Sequence, residues 1–521
     1  MSLNKNISSN LDDNITLLED TFKDFGDLVK RKFFIGENLE YSLYIIYIDV
    51  MTDKNFIDEL FDILMIDIRQ VKPDFKQIQE AIKNNSTKNK NDFDAIKNGG
   101  IATADFSETS DINFAIDEIL AGNTLLLIDG FDTGLILSTK GFPRRSVSTA
   151  DTEVVVQGSK EAFTETFRVN TVLIRRRIRD ANLKLKQIRI GRRSKTDVGI
   201  MYMQDIAKPE LIDEVFERLS RIDTDAILDS GYIEQFIEDD YLSPFPQMQM
   251  TERPDKVASA LLEGRIAIIV DNTPFVILAP TILASFYQSA EDYYQRFEIM
   301  SFIRILRYIA GFLAICLPSL YLAISLYHPS MIPMELILKM SEARKEVPFP
   351  ALVEVLLMEI AFETLREAGI RLPSSIGNTL GIVGGIIIGQ SAVEAGIVSP
   401  IVVIIVALTA ICSFAIPSIS LTAGYRLVKY LLIFLTSVLG FFGFWVGLLL
   451  ILIHLVSLES FGIPYLYPFV SSSANGTNNF NDLKDTILKF PIFKLTKRPI
   501  FAQSTQQTRT NSNKNNTNNT N

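Results

Sequence analysis

Cysteine, histidine and tryptophan are scarce in this chain of 521 residues, which holds two, two and one of them. The cysteines, Cys316 and Cys412, both lie in apolar runs, so they provide neither a disulfide framework nor a zinc site. The histidines are His328 and His454, too few for the bases that nucleophilic or acid–base catalysis needs. We therefore expect that the chain is not an enzyme and has no catalytic residues, no metal site and no cofactor.

Positive charge is also short, since 51 Lys and Arg residues face 61 Asp and Glu residues and leave a net charge of −10. This charge argues against a nucleic-acid partner, and the sequence has neither a P-loop nor a G-x-G-x-x-G motif after a strand. The basic run from Arg168 to Lys195, with RRRIR at 175–179, is read as a solvated helix face that pairs with Glu161 and Glu165 or with a neighbouring subunit. A nucleic-acid or lipid-headgroup site is the alternative.

Long apolar runs are present, but only beyond about residue 300. Four of them approach the roughly 20 residues that cross a bilayer. They are Tyr308–Tyr327, Gly377–Ala395, Ile397–Ile416 and Leu427–Leu455. The sequence therefore predicts an α-helical membrane domain of four to five membrane helices, with added amphipathic or re-entrant helices, at 300–460.

The start of the chain, MSLNKNISSNLDDNITLLED, lacks the apolar core of a signal peptide. Arg296, Arg304 and Arg307 precede the first apolar run, which by the positive-inside rule keeps the preceding domain in the cytosol. Four spans would also leave the lysine-rich tail inside but would place Arg426 and Lys429 outside, whereas five spans would reverse both assignments. We favour four.

The region before residue 300 contains an internal repeat. LAGNTLLLIDGFDTGLIL (Leu120–Leu137) aligns with LEGRIAIIVDNTPFVILA (Leu262–Ala279) at a constant offset. Each copy has a helical lead-in that ends in glycine, a buried strand, a tight turn and a second strand. We predict two similar α/β subdomains, at 40–145 and 150–290, after an N-terminal extension at 1–39. Such lobes either bind a ligand in the cleft between them or form a scaffold.

Glycine recurs at every fourth position through one apolar run, at Gly377, Gly381, Gly385 and Gly389. In water each glycine inside a helix costs about 1 kcal/mol relative to alanine. In a bilayer a line of small residues instead lets two helices approach closely. The glycine stripe therefore predicts a membrane helix that packs tightly against another helix.

Several long segments resemble one protein family, the A subunits of GerA-type spore germinant receptors. The resemblance covers about residues 40–460. The segments that carry it are Val155–Asp180, Ser243–Phe275, His328–Pro373 and Ile376–Pro400. The chain departs from the family at Gly158-Ser159, where Gly-Pro is common. It also departs beyond Gln503, where the C-terminal tail at 461–521 becomes Asn- and Thr-rich and is expected to be disordered.

The resemblance implies a multi-pass protein of the spore inner membrane, with its N-terminal domain on the core side. It implies a transporter-like B subunit and a lipoprotein C subunit as partners, with the nutrient pocket in the B subunit. It further implies that A subunits assemble as a homo-oligomer, a pentamer, within the lipid bilayer. This oligomer would form a nutrient-gated channel for monovalent cations that starts germination.

In a channel of this kind, the helix that carries the glycine stripe would line the pore with its opposite face. The residues opposite the glycines are Leu380, Val383, Ile387, Gln390 and Glu394, which we predict to line the pore. Apolar side chains can close such a pore by dewetting, and polar ones can attract cations. The alternative is that the stripe packs against a helix of the same chain and that the pore lies elsewhere.

Glu359, Glu363 and Glu367 recur at helical spacing in a segment too acidic to face lipid. They either line an acidic vestibule for cations or pair with Arg344, Lys345, Arg366 and Arg371. We favour pairing.

Two other functions remain open for the whole chain. A membrane carrier would show inverted repeats among its spans, whereas the repeat found here lies in the soluble part. A non-conducting subunit that holds the receptor together and transmits its signal would assemble without ion flux.

Overall fold

The structure is a computed structural model that describes residues 6–35, 41–62, 106–141, 150, 152–371, 389–470, 482–503, 505 and 507–509. The chain divides into two compact units. The α/β unit comprises Met1–Ile237, Met250–Ala279 and Arg498–Thr508, and the helical unit comprises Glu238–Gln249, Pro280–Lys497 and Arg509–Asn521. The undescribed residues within these spans are left aside.

The α/β unit is built from strands and short helices. Its strands are Leu28–Ile35 (β1), Tyr41–Ile48 (β2), Phe106–Thr109 (β3), Thr124–Ile128 (β4), Gly134–Leu137 (β5), Leu183–Ile190 (β6), Thr196–Met203 (β7), Gln249–Thr251 (β8), Ile266–Val270 (β9) and Val276–Ala279 (β10). Its helices are Leu11–Thr21 (α1), Lys54–Asp62 (α2), Ile112–Leu120 (α3), Phe167–Arg175 (α4), Pro209–Ser220 (α5), Ser230–Ile237 (α6) and Pro254–Leu262 (α7).

Within the described ranges the strands form two five-stranded sheets of the same plan. Their orders are β1-β2-β4-β5-β3 and β6-β7-β9-β10-β8. In the hairpin of the first sheet Thr124 lies opposite Leu137, and in the second Ile266 lies opposite Ala279. Each residue of the second pair stands 142 positions after its counterpart, so the repeat predicted from the sequence is confirmed at the level of strand register.

The turns of the repeat also correspond. Gly122 and Gly264 end the helical lead-ins with φ of 95° and 94°. Gly130 and Asn272 occupy the hairpin turns with φ of 90° and 68°. Glycine adopts positive φ without a steric penalty and asparagine tolerates it, which confirms the predicted turns.

The central strand of each sheet is buried along its whole length. In β4, Leu125 and Leu127 pack in one hydrophobic cluster with α1 and α3, whereas Leu126 and Ile128 pack in another. Successive side chains of a strand point to opposite faces, so this strand serves two cores. This explains why TLLLI reads as a continuous apolar run rather than an alternating one.

The arginines of the basic run at 175–179 lie in two different environments. Arg176 and Arg177 form ion pairs with Glu161, as predicted. Arg175 does not lie on a solvated face, because its side chain is buried and forms an ion pair with the equally buried Asp27. The prediction of one solvated helix face is therefore wrong at Arg175. The helix ends at this residue, and its last turn points into the core.

Glu161 shows the electrostatic effect of its two arginines. Partial burial raises the pKa of its carboxyl. The hydrogen bond from Arg177 and the charge of Arg176 outweigh this effect and hold the pKa below its usual value of 4.5. The carboxylate form is therefore stabilised in the folded protein.

The C-terminal tail returns to the α/β unit. Ala502 forms a β-bridge with Ala207, and the backbone N–H of Gln503 donates to the carbonyl of Ile206 at 2.8 Å. A Cβ on Gly264 would lie 2.8 Å from the Cα of Ala502, so the glycine leaves room for the tail. The part of the tail expected to be disordered lies almost wholly outside the described residues.

The helical unit contains the apolar helices. They are Leu283–Tyr287 (α8), Phe297–Leu322 (α9), Met334–Ala343 (α10), Ala351–Arg371 (α11), Pro400–Phe414 (α12) and Ile419–Ser457 (α13). Two stretches, Phe297–Tyr327 and Ile419–Ser457, are long and apolar enough to cross a membrane. Both cysteines of the chain are buried here as free thiols.

The second of these stretches, α13, reverses direction at Gly440, where φ is 64° and ψ is −142°. Near its start, a Cβ on Gly424 would lie 2.3 Å from the carbonyl oxygen of Pro244. Near its end, Nε2 of His454 lies 2.8 Å from Oγ of Ser243. A straight helix would place residues 424 and 454 about 45 Å apart, so α13 is a hairpin with arms at 419–439 and 441–457.

The prediction that Leu427–Leu455 forms one continuous span is therefore corrected to two antiparallel arms. Glycine alone adopts the backbone angles of the turn without strain. Two further glycines let the arms touch. A Cβ on Gly443 would lie 2.1 Å from the carbonyl oxygen of Leu435, and one on Gly447 would lie 2.6 Å from Cδ1 of Leu432.

Helix α12 runs antiparallel to α9. Cys412, near the end of α12, packs with Ala310 and Ala314 in the middle of α9. Val402, near the start of α12, packs with Tyr321 and Leu322 at the end of α9. The chain thus runs through the helical unit in one direction along α9 and in the opposite direction along α12.

Candidate functional site

A cavity of about 520 Å³ lies in the helical unit between α11, α12 and the first arm of α13. Its lining combines charged, hydroxyl-bearing and apolar side chains. The residues are Ala314, Glu359, Phe362, Glu363, Leu365, Arg366, Gly369, Val406, Thr409, Ala410, Ser413, Phe414, Thr422, Tyr425, Arg426 and Lys429. Three cations and two carboxylates in this set leave one formal positive charge on the wall.

The deepest ion pair of the cavity joins Glu359 and Lys429. Nζ of Lys429 lies 2.5 Å from Oε2 of Glu359, and both side chains are less than one-tenth exposed. The other carboxylate oxygen of Glu359, Oε1, is buried and has no hydrogen-bond partner among the residues that the structure describes. A buried carboxylate oxygen without a donor costs free energy, so the pair is only half satisfied.

A second, more exposed group of charges lies one helical turn away. Glu363 pairs with Arg366 on its own helix and with Arg426 on α13. Nε of Arg426 is buried and has no hydrogen-bond partner among the described residues. Two residues that line the cavity thus each carry one buried atom without a partner in the described part of the chain, an acceptor on Glu359 and a donor on Arg426.

Helical spacing explains how these four charges meet. Glu359 and Glu363 lie four residues apart on α11, and Arg426 and Lys429 lie three residues apart on α13. Residues with these spacings share one face of a helix. Each carboxylate therefore faces one cation of the neighbouring helix.

The predicted pairing of the acidic residues is confirmed in part. Arg366 pairs with Glu363 as expected, whereas Arg344 pairs with Glu354 instead of the three predicted carboxylates. Glu354 also accepts from the backbone N–H of Ser399 at 2.9 Å.

The third predicted carboxylate, Glu367, is exposed and is absent from the lining of the cavity. Of the predicted acidic vestibule, Glu359 and Glu363 thus line the cavity together, but both are paired with cations.

Sequence reasoning missed the cations of α13. From the sequence, Arg426 and Lys429 bear only on the orientation of the membrane spans. The sequence nevertheless contains a signal for them, because these two cations interrupt an apolar run. Charges within such a run normally face a partner or a cavity. Their spacing matches that of the carboxylates on α11.

Most of the predicted pore helix lies outside the described residues. This applies to Gly377, Gly381 and Gly385 of the glycine stripe, and to the predicted pore residues Leu380, Val383 and Ile387. The remaining glycine, Gly389, is buried, and a Cβ there would lie 3.4 Å from Cγ1 of Val403 on α12. At this position the stripe packs against a helix of the same chain.

The last two predicted pore residues are described and exposed. Gln390 and Glu394 lie one turn apart in a short helical segment at 389–394. Nε2 of Gln390 donates to Oε1 of Glu394 at 2.8 Å. Neither residue is among those that line the cavity of α11, α12 and α13.

The sequence was compared with known protein families. The model of the GerA spore germination proteins of Bacillus and Clostridium matches residues 16–501, which is nearly the whole chain. The chain belongs to the GerA family. The resemblance seen in the sequence is thereby confirmed.

Individual relatives agree with this assignment. The chain is 42% identical to spore germination protein KA of Bacillus subtilis over 95% of this chain and 87% of that protein. It is 38% identical to spore germination protein A1 of the same organism, over 92% of this chain and 94% of that protein. It is 39% identical to spore germination protein GerLA of Bacillus cereus, over 78% and 82%.

One solved structure is also similar in sequence. It is the crystal structure of the N-terminal domain of the A subunit of the Bacillus megaterium spore germinant receptor GerK3. The identity is 34%, and the match covers 54% of this chain and 98% of that chain with a TM-score of 0.40.

Proposed function

We propose that this GerA-family chain is the A subunit of a nutrient-sensing germinant receptor in the spore inner membrane. It works with a transporter-like B subunit and a lipoprotein C subunit, and its N-terminal domain lies on the core side. The observation that carries the receptor role is the family match over residues 16–501. The proposal assigns no catalysis and no cofactor to the chain.

Within the receptor, the chain forms a homo-oligomeric channel for monovalent cations. Gln390 and Glu394 support this part of the proposal. A carboxylate exposed among apolar helices is unfavourable against lipid and faces water or another subunit instead. In an oligomer that turns these side chains toward a central axis, the side chains face water. The Glu394 carboxylates of the subunits then form a negatively charged ring that attracts the cation.

The path of the chain supports a count of membrane crossings. Residues 280–497 belong to the helical unit, whereas the segments before and after them belong to the α/β unit. A folded unit lies on one side of a membrane, so the helical unit crosses an even number of times. We count four crossings, by α9, α12 and the two arms of α13, with α11 re-entrant.

The gate remains a prediction from the sequence. Leu380, Val383 and Ile387 would form the apolar ring that closes the pore in the resting receptor. Nutrient bound to the B subunit would open it only if the B subunit contacts the open and closed states of the channel differently.

The test is nutrient-triggered cation release from spores that carry this chain with its own partner subunits. We expect Glu394→Gln, which keeps the hydrogen bond but removes the charge, to slow release by roughly threefold or more. Glu335→Gln is the matched control, because Glu335 is an exposed carboxylate of the same unit on α10. Val383→Gly and Ile387→Ser are expected to leak cations without nutrient.

Unchanged release from all three variants, at normal receptor assembly, would sink the channel role of this helix. Such a result favours the non-conducting scaffold that transmits the signal. Substrate uptake that depends on the chain would instead favour a carrier.

A further inference from the structure

We propose that the cavity between α11, α12 and the first arm of α13 holds the headgroup of a membrane phospholipid that carries both a phosphate and a primary ammonium. The phosphate faces Arg426 and Arg366, and the ammonium faces Glu359. The acyl chains follow the exposed apolar surface of α12. Gln390 and Glu394, the two described residues of the proposed cation pore, are not among the residues that line this cavity.

The unused hydrogen-bonding groups point to a ligand of both charges. Glu359 is only 4% exposed, and its Oε1 lacks a donor among the described residues. The side chain of Arg426 is more exposed, at 29%, but its Nε atom is buried and lacks an acceptor in the described part of the chain. Each such group costs free energy when it stays unpaired. An ammonium group satisfies the first and a phosphate satisfies the second.

The remaining charges fit the same ligand. The ion pairs of Glu359 with Lys429 and of Glu363 with Arg366 and Arg426 leave one surplus positive charge on the wall. Arginine suits a phosphate because its planar donors match two phosphate oxygens at once. A zwitterionic headgroup that places its phosphate beside Arg426 and Arg366 meets this surplus positive charge. The ion pairs already formed then stay in place.

The charges also lie near the ends of their helices, which the proposed four crossings place near a membrane surface. Arg426 comes seven residues after the start of α13, which corresponds to about 10 Å of helix. Glu363 and Arg366 lie in the last turns of α11. Basic pockets between helices near a membrane surface are typical sites for lipid headgroups.

An apolar surface continues from the cavity along α12. Phe414 lines the cavity and is 69% exposed. Three further exposed side chains, Ile404, Leu408 and Ile411, share its face at spacings of three and four residues. This continuity favours an amphiphile with acyl chains over a small soluble zwitterion such as a free amino acid.

Gly369 provides the variant for a test that leaves every charge in place. A Cβ at this position meets nothing within 4 Å, although the residue lines the cavity. Gly369→Leu therefore fills the cavity, and it raises helix propensity rather than lowering it. Gly369→Ala is the matched control, since it changes the helix similarly but adds a single methyl group.

The experiment measures lipid binding to the purified full-length chain in detergent by native mass spectrometry. The probes are phosphatidylethanolamine, phosphatidylcholine, phosphatidylglycerol and free alanine. Phosphatidylcholine has no N–H to donate to Glu359, and phosphatidylglycerol has no ammonium. We expect phosphatidylethanolamine to bind the wild type and Gly369→Ala at least about tenfold more tightly than either other lipid. Gly369→Leu should lose this preference.

Equal binding of the three lipids, or an unchanged preference in Gly369→Leu, would overturn the proposal. Binding of alanine with no preference among lipids would overturn it as well, because the occupant would then be a soluble zwitterion. The assay uses the A subunit alone and measures no ion flux. Its failure is therefore distinct from a failure of the channel proposal.

Discussion

Each unit of this protein contains a buried ion pair that can be compared with the other, Arg175 with Asp27 in the α/β unit and Lys429 with Glu359 in the helical unit, and these two pairs differ in how completely their atoms are used. In the α/β unit, Arg175 donates to both carboxylate oxygens of Asp27 and to the carbonyl of Leu183. Its guanidinium carbon also lies 4.2 Å from the ring centroid of Phe25. The side chains are 1% and 0% exposed.

In the helical unit, Lys429 and Glu359 are also buried, but one carboxylate oxygen has no partner among the described residues, and both side chains line a cavity. Burying a charge is costly unless it is paired and hydrogen-bonded. The comparison shows that the first pair meets this requirement from within the chain. The second pair leaves one carboxylate oxygen for water or a ligand to hydrogen-bond. This difference distinguishes a structural ion pair from a candidate binding site.

The largest effect is expected from breaking the closed pair. Arg175→Met leaves Asp27 buried and without its cation, which should destabilise the α/β unit by about 3–5 kcal/mol. Hydrogen exchange of the β6 and β7 amides in the full-length chain measures this local stability. In the double variant Asp27→Leu/Arg175→Met, both charges are gone, and much of the lost stability should return. A single variant within about 0.5 kcal/mol of wild type would show that the pair is dispensable.

A smaller effect is expected from the half-satisfied pair. Lys429→Met leaves Glu359 without its cation, but the adjacent cavity lets water or a ligand reach the carboxylate. We expect a loss of about 1–3 kcal/mol, measured as exchange of amides in α11. Lys345→Met, at an exposed lysine of the same unit, is the control. A loss as large as that of Arg175→Met would remove the distinction between the two pairs.

The smallest effect is expected at the partly exposed pair of Glu161 with Arg176 and Arg177. Solvent screens this pair, so Glu161→Gln should cost at most about 1 kcal/mol at pH 7. The pKa of Glu161 is lowered on folding. Its contribution is therefore present above the usual pKa of 4.5 and disappears as the pH falls through the lower folded value. Exchange measured from pH 7 to pH 3 checks this, and a penalty that grew on acidification would contradict it.

The repeat was the part of the fold most open to prediction. Its strands, turns and register follow from short-range rules, because apolar runs of four or five residues end in glycine or asparagine with positive φ. The fold of the helical unit was harder to predict from the sequence. The apolar run Leu427–Leu455 is long enough for one span, and only the contact of its two halves reveals the reversal at Gly440.

The candidate site shows the same limit. The sequence marked Glu359 and Glu363 as carboxylates that need a partner or a cavity, and local spacing proposed Arg366 correctly for one of them. It did not select Arg426 and Lys429, which lie more than sixty residues away on another helix. Charge alone does not specify which helix packs against which.

The sequence by itself therefore determined the family, the repeated α/β plan and the presence of charges among apolar helices, because these depend on composition and on neighbours along the chain. Tertiary structure alone decided that α13 doubles back and that its cations meet the carboxylates of α11. It also decided that one donor and one acceptor stay unpaired around a cavity. These features depend on distances between residues far apart in the chain, which only the packing of the helices sets.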